Sequence, residues 1–166
     1  MAIVSRGHRN LTLGLMMVVA ILSYVDRQVF TLFQDDIKQE LGLSDGQLGL
    51  LTGMSFALFY TLAAFPIARL ADVGDRRKII AVCVMVWSTA TALCGIAAGF
   101  WQLMLARIGL AAGEAGAGPA SSSLLTEIFP LERRTSVISI MLAANAVGIS
   151  GGLALGGWLS NYSTWG

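Results

Sequence analysis

The stretch LTLGLMMVVAILSYVDRQVFTLF, residues 11–33, decides the fold, being 23 residues long and apolar except for Ser23, Tyr24 and the step Asp26-Arg27-Gln28. At ~1.5 Å of rise per helical residue it covers a bilayer core of ~30 Å with some tilt. A cleaved signal peptide needs a small-residue cleavage site after a short apolar core, and here Asp26 and Arg27 follow instead. The segment therefore reads as a retained membrane-spanning helix.

Four further runs repeat the pattern, at residues 47–70, 79–98, 102–129 and 135–159. Ser44 and Asp45 cap the second after Gly42, and Pro66 near its end is expected to kink it. Only Gly99-Phe100-Trp101 separates the third from the fourth, which predicts a tight antiparallel pair. The fourth is the least oily, with Arg107, Glu114, Pro119 and Ser121-Ser122-Ser123, and is expected to face the interior. The expected fold class is an all-α membrane protein with five transmembrane helices. Residues 1–10 form a polar N-terminus and residues 161–166 end the chain, so the odd helix count reads as a truncation before a sixth.

Composition agrees. Hydrophobic residues make up 55% and charged residues 13%, with a mean hydropathy of +0.71, whereas a soluble domain carries roughly 25% charge. The net charge of +1, with no basic face interleaved with aromatics, excludes a nucleic-acid partner. Cys83 and Cys94 fall in one apolar run about 16 Å apart along a helix, too far for a disulfide, and read as packing residues. His8 is the only histidine and lies outside the runs, which removes a Ser-His dyad or a zinc-binding HExxH site. An aspartyl mechanism from Asp26 and Glu114 stays formally open, but the reading is of a non-enzyme without metal or cofactor.

Orientation follows from the loops, since Lys and Arg are retained on the cytoplasmic side. Arg6, Arg9, Arg69, Arg76, Arg77, Lys78, Arg133 and Arg134 fall on one side and Lys38 alone on the other, which predicts a cytoplasmic N-terminus. Small residues recur at four-residue spacing in Gly49 and Gly53, in Gly109 and Gly113, and in Gly148, Gly152 and Gly156, and mark expected packing faces.

Four ionisable residues remain at membrane depth, each costing at least ~2.5 kcal/mol near the centre unless partnered or wetted. Counted from the outer helix ends, Asp26 and Arg27 lie ~10 Å deep and Arg107 ~8 Å, so an Asp26–Arg107 pair is expected. Glu114, two turns beyond Arg107 on nearly the same face, lies ~18 Å deep, and the two are expected to line one cavity wall. Hydrocarbon favours a neutral carboxyl unless a cation compensates, which makes Glu114 a candidate for binding and releasing protons. The bland alternative is a structural ion-pair cluster in a membrane scaffold, although apolar pairs would fill the same space without the desolvation cost.

The loop Ala68-Arg69-Leu70-Ala71-Asp72-Val73-Gly74-Asp75-Arg76-Arg77 resembles the signature between helices two and three of the major facilitator superfamily, matching at Leu70, Ala71, Asp72, Arg76 and Arg77. It departs at Ala68, Val73 and Asp75, where glycine, arginine and glycine are usual. An Asp and arginines at such a turn can build a charge lock that reforms differently in each state, with Glu127 the expected partner of Arg76 or Arg77. Tyr24-Val25-Asp26-Arg27-Gln28, Ala106-Arg107-Ile108-Gly109, Gly113-Glu114-Ala115-Gly116, Pro119-Ala120 and Phe129-Pro130 followed by Glu132-Arg133-Arg134 are similar to the Spinster-type branch. They overlap with the organic-anion symporters for sugar acids.

The resemblance implies twelve helices in two six-helix bundles, of which this chain would be the incomplete N-terminal one, in a bacterial inner (plasma) membrane. It also implies substrate bound between the halves and access alternating by rocking. Partners are then membrane lipids, the missing C-terminal half, protons, and a small-molecule or lipid substrate such as a lysophospholipid or phosphorylated sphingoid base. Asp26 and Glu114 would carry the proton. Arg27 or Arg107, with Tyr24, would meet an anionic head group, and Asp72, Arg76, Arg77 and Glu127 would form the cytoplasmic gate.

Overall fold

The computed structural model describes residues 5–162, so residues 1–4 of the N-terminal segment and 163–166 at the end lie outside the described residues, as do the side chains of 161 and 162. Seven helices make up the described chain: α1 (Arg6–Leu32), α2 (Gln34–Glu40), α3 (Asp45–Gly49), α4 (Ser55–Val73), α5 (Arg76–Gly95), α6 (Phe100–Ile128) and α7 (Leu131–Tyr162). A π-helical turn, Leu50–Met54, joins α3 to α4, so these three pieces form one rod. Four rods are long and apolar enough to cross a membrane, namely Arg6–Leu32, Asp45–Val73, Arg76–Gly95 and Leu131–Ser160. With α6 they form an all-α bundle without strands among the described residues, and the protein is a multi-pass membrane protein.

The local signals act where the sequence places them. Ser44 caps α3 in a reciprocal capping box with Gln47, at 3.3 Å and 2.9 Å. Gly42, at φ 60°, closes α2 in a Schellman motif, with Leu43 N–H donating to the Lys38 carbonyl at 2.9 Å. Leu43 is thereby buried against Leu51 and Leu103. Lys38 reaches Asp45 at 2.5 Å, and that bond holds the Lys38 ammonium above its ordinary value. Residues 34–40, between the first two apolar runs, form a short helix that follows α1 after Phe33. Pro66 and Pro119 lie inside α4 and α6 without ending them.

Helix α6 is the centre. It buries Leu103, Leu110, Ala111, Ala115, Ala120, Leu125 and, beside them, Arg107 and Glu114. A helix that is small and apolar on every side belongs inside. It packs most closely on α5, where a Cβ added at Gly113 would lie 2.7 Å from the Trp87 nitrogen and 2.8 Å from the Cys83 carbonyl oxygen. Both cysteines are unpaired, and Cys83 sits against Gly116.

The second close pair is α1 with α7. A Cβ at Gly148 would meet the Ile21 carbonyl oxygen at 2.7 Å, one at Gly152 the Gln28 Cβ at 2.7 Å, and Gly156 lies against Leu32. The stripe read from the sequence is therefore a real contact face. Gly49 and Gly53 are different: nothing lies within 4 Å of either missing Cβ, so that pair marks no face among the described residues. Gly53 lies in the π turn and Gly49 just before it, and both are exposed.

Because the Gly113 contact is with backbone, Gly113→Ala should force α5 from α6 and cost about 1–3 kcal/mol in thermal unfolding of the purified protein. Gly53→Ala should stay within about 0.5 kcal/mol of wild type. Equal losses would mean that the α5–α6 approach does not hold the bundle.

Candidate functional site

The four membrane-depth charges converge at mid-bundle, in pairings that differ from those counted along the sequence. Glu114, with its side chain 1% exposed, accepts from Arg27 Nε at 2.7 Å and Nη2 at 2.5 Å, and from the Ser23 hydroxyl at 3.1 Å. Asp26 accepts from the Trp87 indole N–H at 2.9 Å and the Thr91 hydroxyl at 3.1 Å. The expected Asp26–Arg107 pair is absent: Arg107 donates instead to the Leu51 carbonyl in the π turn at 3.4 Å.

The reason is the tilt of side chains toward the start of their own helix. On α1 that tilt carries Arg27 away from the Leu32 end, and on α6 it carries Glu114 toward the Phe100 end. Residues counted at different depths thus meet. The longer Arg107 side chain follows the same tilt farther, to the Leu51 carbonyl, although it starts seven residues from Glu114 on nearly one face.

Aromatic rings complete the site. The Arg27 guanidinium lies 5.6 Å from the Tyr24 ring, 5.2 Å from Phe56 and 5.5 Å from Tyr60. Arg107, only 6% exposed, lies 3.8 Å from Phe30 and 4.9 Å from the same Phe56 ring. One ring therefore stands beside two guanidiniums, offering each an attractive face where like charges would otherwise repel.

These groups form a polar layer between two cavities. One, about 300 Å³, is lined by Tyr24, Arg27 and Glu114 and runs past Ser121, Ser122 and Thr126 to Arg134. The other, about 710 Å³, is lined by Asp26, Thr91 and Arg107 and runs to Asp36 and Glu40 at the opposite end of the bundle. Arg107 and Glu114 consequently line different cavities rather than one wall, with Arg27 and its aromatic partners between them.

The residues expected to form the cytoplasmic gate lie at the Arg134 end. Arg76 forms an ion pair with Glu127, the partner expected from sequence. Arg77 instead meets His8 Nε2 at 3.2 Å, and its backbone N–H donates to Asp75 at 3.0 Å. Asp72 is exposed, and its side chain makes no hydrogen bond or ion pair among the described residues.

Sequence reasoning missed Ser23, Trp87, Thr91, Phe30, Phe56 and Tyr60. Trp87 and Thr91, spaced i,i+4 in an apolar run, were the available signal for a donor pair on one helix face. If the Arg27–Glu114 contact is a true pair, Arg27→Met and Glu114→Gln should be non-additive in unfolding, coupled by about 0.5–3 kcal/mol. Additive losses would dissolve the pair.

The pattern that defines the Major Facilitator Superfamily matches residues 16–166. The chain is 33% identical over 152 residues to an MFS-type efflux pump of Mycolicibacterium smegmatis, covering 92% of this chain and 35% of that one. It is 29% identical over 136 residues to a probable L-galactonate transporter of Escherichia coli, covering 82% of this chain and 30% of that one. Among solved structures it is similar, at a TM-score of 0.89 and 40% identity, to a bacterial homolog of the human lysosomal transporter Spinster in an inward-facing and occupied conformation. That match covers 95% of this chain and 34% of the other. The chain thus spans about a third of the length of these relatives. With the two cavities, the intervening charges and the turn between α4 and α5, these likenesses lead to one assignment: the chain belongs to the Major Facilitator Superfamily and is Spinster-like within it.

Proposed function

We propose that this chain is the N-terminal bundle of a proton-coupled secondary transporter that moves an anionic amphiphile by alternating access, with its N-terminus in the cytoplasm of a bacterial cell. The observation that carries the reading is Glu114. A carboxylate 1% exposed at mid-bundle is held by Arg27, on the wall between cavities that run to opposite ends. Such a pair is costly to bury and is worth keeping where it is opened and closed.

The chemistry follows from the contacts. A proton on Glu114 cancels the charge that holds Arg27 and frees its guanidinium for an anionic head group. Losing that proton restores the pair and expels the anion. Asp26, which faces neutral donors and no cation, is the second proton-carrying group in this scheme. Arg107, anchored on the π turn, meets the anion from the other cavity. Tyr24 lines the substrate side, and Arg76, Arg77, Glu127 and Asp72 close the cytoplasmic end.

The apolar wall of Met16, Val19, Val137, Ile138 and Met141 along the smaller cavity supports a lipid-like tail, as in lysolipids and sphingolipids. The likeness to the galactonate transporter and the cavity volume of about 300 Å³ support a second reading, a compact sugar acid carried with a proton.

In proteoliposomes made with the intact transporter, Glu114→Gln should abolish proton-driven uptake while leaving expression and folding intact. Unchanged uptake that still depends on the pH gradient would remove Glu114 from the mechanism. Arg107→Ala should weaken binding of the transported anion at least about tenfold, as loss of a charge-assisted contact does. Equal affinity would favour the scaffold reading.

A further inference from the structure

A third cavity, about 920 Å³, opens at the end of the bundle that carries the gate turn, and four guanidiniums line it: Arg9, Arg76, Arg77 and Arg134. Its carboxylates are largely committed. Glu127 is held by Arg76, and Asp75 caps α5 by accepting the Arg77 backbone N–H at 3.0 Å. Glu132 is exposed in the first turn of α7. Arg9, Arg77 and Arg134 have no carboxylate within ion-pair distance among the described residues.

Each of these three arginines is instead steadied by a ring or a backbone carbonyl. Arg9 lies 5.9 Å from the Phe129 ring, Arg77 meets His8 at 3.2 Å, and Arg134 Nε donates to the Phe129 carbonyl at 3.3 Å. A guanidinium has five donors, so most remain available. Arg76 adds an independent sign: its Nε is the one buried side-chain nitrogen or oxygen among the described residues without a hydrogen-bond partner. An orphan buried donor calls for an acceptor.

We propose that this cavity binds a phosphate group through Arg9, Arg77 and Arg134. Several guanidinium forks converging on one space suit an anion with several oxygens, which each fork can meet with two parallel bonds. The cavity lies at helix ends, the level of lipid head groups. The phosphate therefore comes from an anionic phospholipid or from free phosphate. The site meets the smaller cavity at Arg134 but lies at the helix ends, away from the Arg27–Glu114 layer, and does not rest on the transport reading.

The test is native mass spectrometry of the purified protein titrated with phosphatidylglycerol, with phosphatidylcholine of the same chains, and with inorganic phosphate. Phosphatidylglycerol should be retained over phosphatidylcholine, and each of Arg9→Gln, Arg77→Gln and Arg134→Gln should weaken retention about fivefold. Arg69→Gln and Lys78→Gln, basic residues of the same end that do not line the cavity, should change nothing. Inorganic phosphate displacing the lipid and failing to bind the same variants would identify free phosphate as a source; binding of lipid alone would identify the head group. Arg9→Gln guards against misfolding, since among the described residues the Arg9 side chain makes no ion pair or hydrogen bond and lies only against the Phe129 ring, and thermal unfolding checks each variant. No preference between the two lipids, or equal losses in the control variants, would overturn the site in favour of diffuse surface attraction.

Discussion

Everything in this bundle is arranged around a carboxylate that hydrocarbon would reject. Glu114 at 1% exposure can stay charged only while Arg27 lies 2.5 Å away, because one unpaired charge at that depth costs more than most single contacts return. Holding Arg27 there requires α1 to lie close to α6. The same helix packs against α7 through three glycines, of which Gly148 and Gly152 admit the α1 backbone itself. The ion pair and the glycine stripe are thus two parts of one constraint on α1.

The aromatic groups explain how a second guanidinium fits nearby. Arg107 is not neutralised by a carboxylate; it is held by the Leu51 carbonyl of the π turn and by Phe30 and Phe56. A π turn re-aims backbone groups within a helix and is often kept where function needs it. Here it places the rod formed by α3 and α4 in contact with the charge it must accommodate, so a shift of Arg107 and a shift of that rod are mechanically linked.

The fold was legible in the sequence because hydrocarbon imposes so few solutions. Uninterrupted apolar length reported the long helices, and the crowding of small and charged residues in residues 102–129 reported the central one. The four ionisable positions were legible for the same reason. Their pairing was not, since counting rise along a helix treats side chains as points, whereas the tilts of Arg27 and Glu114 bring them together from different levels. Trp87 and Thr91 stayed hidden because an indole and a hydroxyl within an apolar run look like packing until a carboxylate is placed opposite. Gly49 and Gly53 misled in the other direction: their spacing imitates a contact face, yet both lie exposed where α3 passes through the π turn into α4.

In the proposed function, the Arg27–Glu114 contact is a switch that opens when Glu114 takes up a proton. Infrared difference spectroscopy of the protein in lipid, between neutral and acidic buffer, observes that proton directly as the carbonyl stretch of a neutral carboxyl. The expected result is a band on acidification with a component that is present in wild type and missing in Glu114→Gln, whatever Asp26 contributes to both. Identical difference spectra for the two proteins would contradict it.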